Sequence, residues 1–278
     1  MITHSISLLG KRPTNEDQHN IFMNLNGLNS NYNSINVFSV FDGHGGKDVA
    51  KYLNSHLIPF FTNEKSNYNI TEHSTFKKYI IKVFDHIENK LEKKFKNFSY
   101  NVGSTALIVI FYKKNDSIYY DVINVGDSRT ILCNKHNKAI ALSIDHKPNV
   151  ESEKKRIESM GGIIEYDNPD WRIQGLSVSR AFGDMDAKPY VISKPDIYKY
   201  KLKLSDKFIV IACDGLWDVM QNQDVVNFIN NKLKSINHLD NLSSNSKKNI
   251  AYELANHAIN NGSYDNISII IIFFAYHL

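Results

Sequence analysis

An α+β fold, with a two-sheet core and helices attached in pairs, is what this chain predicts. Seven short runs rich in Val, Ile and Phe punctuate it, and several are apolar on both phases, as strands covered on both faces require. Four longer stretches carry apolar residues at helical spacing. Those four fall in two pairs instead of alternating with strands, which argues against a doubly wound sheet.

The elements follow in order. Thr3–Leu9 reads as a leading strand and Asn36–Phe41 as the next. Gly46–Phe61 places Val49, Leu53, Leu57 and Phe60 on one helical face. Phe76–Phe98 does the same with Phe76, Ile80, Val83, Phe84, Ile87, Leu91, Phe95 and Phe98, with Lys and Glu opposite. Ser104–Phe111, Ile118–Val125, Thr130–Cys133, Lys138–Ser143 and Phe208–Cys213 are further strands. A second helix pair, Gln223–Leu233 and Lys247–Asn260, precedes the last strand at Ile267–Phe274, and the polar stretch 235–248 is expected to be a mobile surface loop.

With 278 residues, 42% of them apolar, the chain can bury a substantial core. Its net charge of +4 is too weak to indicate nucleic acid. The clusters Lys93-Lys94, Lys154-Lys155-Arg156 and Lys247-Lys248 lie in helix-like segments and read as solvated faces. Cys133 and Cys213 sit in apolar runs, which suits a reducing compartment and two small buried hydrophobes. Six residues beyond them stand Ala139 and Val219, so neither opens the Cys-x5-Arg loop that thiolate phosphate chemistry needs. No signal peptide, no Gly at position 2 and no bilayer-length apolar run is visible. A soluble cytoplasmic protein is expected, with the nucleus also open to it, acting as a monomer with no membrane or nucleic-acid partner.

Acidic residues mark the strand ends: Glu16-Asp17, Asp42, Asp127, Asp214 and Asp265. A carboxylate there is costly to desolvate unless it is paired or binds a cation, so this recurrence points to one shared metal centre. Carboxylate, carbonyl and water oxygens suit Mg2+ or Mn2+, and zinc-like His or Cys spacing is absent. Gly43 leaves room for a backbone carbonyl beside a cation. Two cations sharing a carboxylate can hold and acidify a water. His44 is placed to protonate a leaving oxygen, and Arg12, four residues before Glu16, to clamp a phosphate. Structural alternatives stand beside each: Asp42 or Asp218 as helix caps, Asp127 as a hairpin residue, Asp265 as a turn, His44 in a packed core, and Arg12 at the surface beside a competing Lys11.

These residues lie in motifs that together resemble the metal-dependent serine/threonine protein phosphatases of type 2C, the PPM family. The motifs are GKRPTNED (10–17), VFDGHGG (40–46), GSTA (103–106), NVGDSR (124–129), DHKP (145–148), RIESMGG (156–162), LSVSRAFGD (176–184), CDGLWDV (213–219) and YDNIS (264–268). The resemblance implies one catalytic domain over 1–278, a central antiparallel β-sandwich flanked on each side by helix pairs, and a flap near 149–174. It implies phosphoprotein substrates, with phosphoserine and phosphothreonine hydrolysed by a metal-bound hydroxide and no covalent intermediate. Asp42 would bridge two core Mg2+ or Mn2+ ions. Asp214 and Asp265 would complete one, and Glu16 and the Gly43 carbonyl the other, with Asp17 around them. Asp127 and Asp218, with Asp214, would hold a third, weaker ion. Arg12 would bind phosphate, His44 would act as general acid, and Arg180 would be structural. Asn15, where many members have Met, is expected to touch no ligand. A catalytically inactive scaffold of this fold and another two-metal phosphoester hydrolase are the rival readings.

Overall fold

A computed structural model describes residues 1–24, 35–62, 69–95, 101–234 and 249–274. In chain order these form β1 (Ile2–Leu8), β2 (Gln18–Met23), β3 (Ile35–Phe41), β4 (Gly43–His44), α1 (Asp48–His56), α2 (Pro59–Thr62) and α3 (His73–Phe95). There follow β5 (Gly103–Ser104), β6 (Ala106–Lys114), β7 (Ser117–Val125), β8 (Arg129–Cys133), β9 (Ala139–Ala141), α4 (Glu151–Ser159), β10 (Glu165–Asp167), β11 (Asp170–Arg172) and β12 (Phe182–Gly183). The chain continues through β13 (Asp196–Lys201), β14 (Phe208–Ala212), α5 (Asp214–Trp217), α6 (Asn222–Lys234), α7 (Ile250–Asn260) and β15 (Ile267–Phe273).

Two five-stranded antiparallel sheets, ordered β1-β15-β14-β8-β9 and β13-β7-β6-β3-β2, carry the fold. The alternation along β6 shows how they stack. Leu107, Val109 and Phe111 face the other sheet, where they pack with Leu132, Ile209, Ile211, Ile270 and Ile272. Their neighbours Ala106, Ile108, Ile110 and Tyr112 face the opposite way, onto Val49 and Leu53 of α1 and Phe76, Ile80, Phe84 and Leu91 of α3. On the other sheet, Ile131, Val210, Ile269 and Ile271 pack against Val225 and Ile229 of α6 and Ile250 and Leu254 of α7. Four layers result, helices on sheet on sheet on helices. Every residue of β3 and β15 is therefore buried, which is why those runs are apolar on both phases.

The differences from the sequence reading have local causes. The helix expected over Gly46–Phe61 divides into α1 and α2 because Pro59 cannot continue the preceding turn. The strands β2 (QHNIFM) and β13 (DIYKYK) escaped notice because each is the edge of its sheet and carries polar and charged residues there. Residues 96–98, at the end of the expected second helix, and the polar stretch 235–248 lie outside the described residues. No helix of the described chain is long and apolar enough to cross a membrane. The expected small buried roles for Cys133 and Cys213 hold, and neither forms a disulfide.

Segment 149–174 holds α4 and the hairpin β10–β11, and it builds a small core of its own. Ile157 and Ile173 pack there with Val178, Ala181, Ala187 and Val191. Beneath it Glu153 is buried, with one carboxylate oxygen 2.6 Å from Arg180 and the other 2.8 Å from Arg156. Arg180 is therefore structural, as expected, and also reaches Asp196 at 3.0 Å. Arg156 is not the solvated residue its Lys neighbours suggested. Burial alone would raise the Glu153 pKa, but the two guanidinium groups outweigh it and hold the acid near 2, against an ordinary value of 4.5. A carboxylate depressed on folding adds stability above its unfolded pKa and loses it as pH falls through the folded one. Amide protection in α4 is thus expected to collapse between about pH 4.5 and about pH 2, as hydrogen exchange would show. Glu153→Gln should remove that pH step and cost about 3 kcal/mol in thermal unfolding, because it leaves two arginines short of a buried partner.

Candidate metal and phosphate site

The acids come from both sheets and converge at one end of the sandwich. Asp42 follows β3. Asp127 lies in the crossover from β7 in one sheet to β8 in the other, so it is not a hairpin residue. Asp214 follows β14 and opens α5, Asp265 precedes β15, and Glu16-Asp17 precede β2. A pocket of about 440 Å³ is lined by Arg12, Glu16, Asp42, Gly43, His44, Asp127, Asp214, Asp218 and Asp265. Asp17 lies beneath it, buried. Neither Asp42 nor Asp218 caps a following helix, since α1 starts at Asp48 after Lys47 and α6 starts at Asn222.

Asp42 is the meeting point. One ligand atom each from Asp42, Asp127 and Asp214 lie within 4.8 Å of one another, and so do those of Asp17, Asp42 and Cys213. Glu16 and Asp265 line the same pocket outside those tight groups. Glu16 accepts from Thr14 Oγ1 at 3.2 Å and from the Gly46 amide at 3.1 Å, while Asp265 accepts from Arg12 Nη2 at 2.7 Å. The Cys213 thiol is occupied by backbone, donating to the Asn266 carbonyl and accepting from the Ser268 amide.

Burial and then the neighbouring acids drive Asp42 and Asp214 well above the ordinary carboxylate range. Burial likewise pushes Asp17 and Asp218 up to about 6 each. Both carboxylate oxygens of the buried Asp17 lack a hydrogen-bond partner. Desolvated, mutually repelling oxygens with unmet coordination, and no imidazole among the clustered atoms, fit hard divalent cations.

Backbone contacts hold these acids in place. Thr105 brackets Asp42, its amide donating to the Asp42 carbonyl at 2.9 Å and its hydroxyl accepting from the Asp42 amide at 3.1 Å. Asn266 ties the loop bearing Arg12 and Glu16 to the start of β15. Its Oδ1 accepts from the Glu16 amide at 2.9 Å, and its Nδ2 donates to the carbonyls of Leu9 and Thr14 at 2.8 and 2.9 Å. Asn15, expected to touch no ligand, accepts from the Asp17 amide at 3.1 Å. At Gly43 a Cβ would stand 2.4 Å from the Glu16 carbonyl, so only glycine admits this approach of the two acidic segments.

Three functional residues were not singled out in the sequence. Asp184, buried and left-handed at φ 47°, places its two carboxylate oxygens 2.8 and 2.9 Å from His44 Nε2. The small sheet β12-β5-β4 brings them together, and at Gly103 a Cβ would meet Asp184 Oδ2 at 2.0 Å. Burial works against a charged His44, but the Asp184 hydrogen bond and charge prevail and raise its pKa. Lys147 donates to Asp127 Oδ2 at 2.5 Å. Asn266 is the third. All three stand inside the quoted motifs LSVSRAFGD, DHKP and YDNIS, but their partners lie 140, 20 and up to 257 residues away. The rival cation Lys11 does not line the pocket and lies 4.1 Å above the ring of Tyr264.

The family profile "Protein phosphatase 2C" matches residues 5–267. A rice (Oryza sativa subsp. japonica) "Probable protein phosphatase 2C 7" is 35% identical over 273 residues, covering 96% of this chain and 64% of its own. "Protein phosphatase 1L" of Bos taurus is 36% identical over 239 residues, covering 82% and 62%. The chain thus spans under two thirds of either relative. Among solved structures, a serine-threonine phosphatase 2C from Toxoplasma gondii superposes with a TM-score of 0.77 over 98% of this chain and 94% of its own, at 24% identity, a likeness of fold. Gly103→Ala is expected to push Asp184 off His44, visible as a changed His44 side-chain NMR environment, and to cost about 1–3 kcal/mol in thermal unfolding. An unchanged His44 environment would show that the close approach is not required.

Proposed function

The chain belongs to the protein phosphatase 2C family, and from that premise we propose that it is a protein serine/threonine phosphatase requiring Mg2+ or Mn2+. The observation that carries the reading is the position of Asp42, whose carboxylate is common to both tight groups of ligand atoms. Asp42 would be shared by two core ions, with Asp214 and Asp265 completing one and Glu16 and the Gly43 carbonyl the other. Asp17 supports the shared acid from below. Asp127 and Asp218, with Asp214, would hold a third and weaker ion. When bound, such cations neutralise phosphoryl charge and make a water acidic enough to attack near neutral pH.

The remaining work falls to the chain. Arg12 stands at the pocket mouth with its side chain 56% exposed, so it can leave Asp265 and take two phosphoryl oxygens in a bidentate grip. His44 holds a proton under the influence of Asp184 and passes it to the departing serine or threonine oxygen. With Nε2 committed to Asp184, Nδ1 is the nitrogen left to deliver it. Phosphoproteins follow as substrates. An inactive scaffold fits poorly, because every expected metal-binding acid is retained and lines, or underlies, one pocket.

Mn2+-dependent turnover of phosphopeptides is the test. Asp42→Ala and Asp214→Ala should each lower kcat/KM by about a thousandfold or more while the circular-dichroism melt stays cooperative. Undiminished turnover in either variant refutes the shared-metal reading. His44→Ala and Asp184→Asn should each slow a phosphopeptide about a hundredfold yet barely affect p-nitrophenyl phosphate, whose leaving group needs no proton. Equal losses on the two substrates would count against the proton-donor pair.

A further inference from the structure

Two of the expected metal-binding acids of the pocket are already paired with a cation of the chain itself, and the two pairs differ. Arg12 is largely exposed and free to swing away from Asp265. Lys147 is not. Its Nζ lies 2.5 Å from Asp127 Oδ2, its side chain is 26% exposed, and that of Asp127 is 2% exposed. Asp214 and Asp218 add their attraction for the same ammonium. Its backbone is also fixed. The neighbouring His146 donates its amide to the Gly126 carbonyl at 3.0 Å, accepts the Gly126 amide on Nδ1 at 3.1 Å, and accepts the Ser179 amide on its own carbonyl at 2.8 Å. Only the four-carbon stem of Lys147 can move. Meanwhile Asp127 belongs to the tight group with Asp42 and Asp214 that a divalent ion would occupy.

We propose that Lys147 is a built-in competitor for the third cation: its ammonium neutralises Asp127, and an ion held by Asp127, Asp214 and Asp218 has to displace it. The proposal rests on the metal reading given above. Counting the three carboxylates against one ammonium leaves a residual charge of −2 for the incoming ion to meet, where the acids alone would present −3. Lys147 therefore sets the weakness of this site; its hydrogen bond goes to Asp127, and of the core acids Asp214 attracts it at longer range, so the core pair around Asp42 feels its charge less than the weak site does.

Mn2+ titration of the full chain, followed by calorimetry and by the paramagnetic resonance signal of free Mn2+, reads this without any turnover. The wild-type chain should bind a tight pair and one weak ion. Lys147→Gln and Lys147→Met should tighten the weak site by about tenfold or more, Lys147→Arg should leave it near wild type, and Asp127→Asn should abolish it, with the tight pair changing by less than the weak site in every variant. In Mg2+, the side-chain amine resonance of Lys147 should shift over the same concentrations that fill the weak site. Thermal melts accompany each variant, and the Gln and Met forms serve as mutual checks on folding. A weak-site dissociation constant within about twofold of wild type in folded Lys147→Gln or Lys147→Met, or tightening in Lys147→Arg, overturns the proposal. Absence of the tight pair from the wild-type chain overturns the metal reading itself, a result separable from the first.

Discussion

The mutual repulsion of carboxylates at one end of the sandwich is the constraint on which the rest of the structure depends. Asp17 and Asp127 are buried and Asp42 and Asp214 half-buried at the same end, and Asp17, Asp127 and Asp214 each raise the cost of ionising Asp42. Left to themselves they would separate. They cannot, because they hang from different strands of two sheets whose apolar layers fix the spacing. The continuous Ile run of β15 packs against both the facing sheet and the α6–α7 pair, so movement of its end would disrupt two layers together. Stability gained across the sandwich thus sustains a group of acids that is locally unfavourable.

Around that centre the chain places its own positive charge in graded fashion. Arg12 is exposed, Lys147 is largely enclosed beside a buried acid, and His44 is bound to a buried partner on a small sheet of two-residue strands. Each engages a different oxygen. Uncharged groups do the fixing: Thr105 secures the backbone of Asp42, and Asn266 joins the two chain ends that flank the site. Around the acids the division is consistent, with amide and hydroxyl groups holding backbone and charged side chains engaging carboxylate oxygens.

Much of this was legible in the sequence. Interior strands and the long helices announce themselves through apolar periodicity, and the acids through their cost at strand ends. What escaped did so for physical reasons. Edge strands β2 and β13 carry Asn, His, Lys and Asp because one flank meets solvent, which erases the apolar signature. A proline split one expected helix into two. Asp184, Lys147 and Asn266 lie in LSVSRAFGD, DHKP and YDNIS, yet their significance is a matter of partners brought near by folding, which spacing along the chain does not reveal. Arg180 was readable as structural, but the buried Glu153 that receives it was not.

The segment carrying α4 and the β10–β11 hairpin has one further consequence. Its anchor is internal, a small apolar cluster above a buried Glu153 held by two arginines. Its hairpin presents Tyr166 and Trp171, directly paired across the two strands and 57% and 43% exposed, while Asp170 and Arg172 of the same hairpin form part of the pocket wall. The Tyr166–Trp171 pair and the anchor share no side chain, so substitutions on this exposed face of the hairpin leave in place the buried contacts that hold the segment beside the pocket.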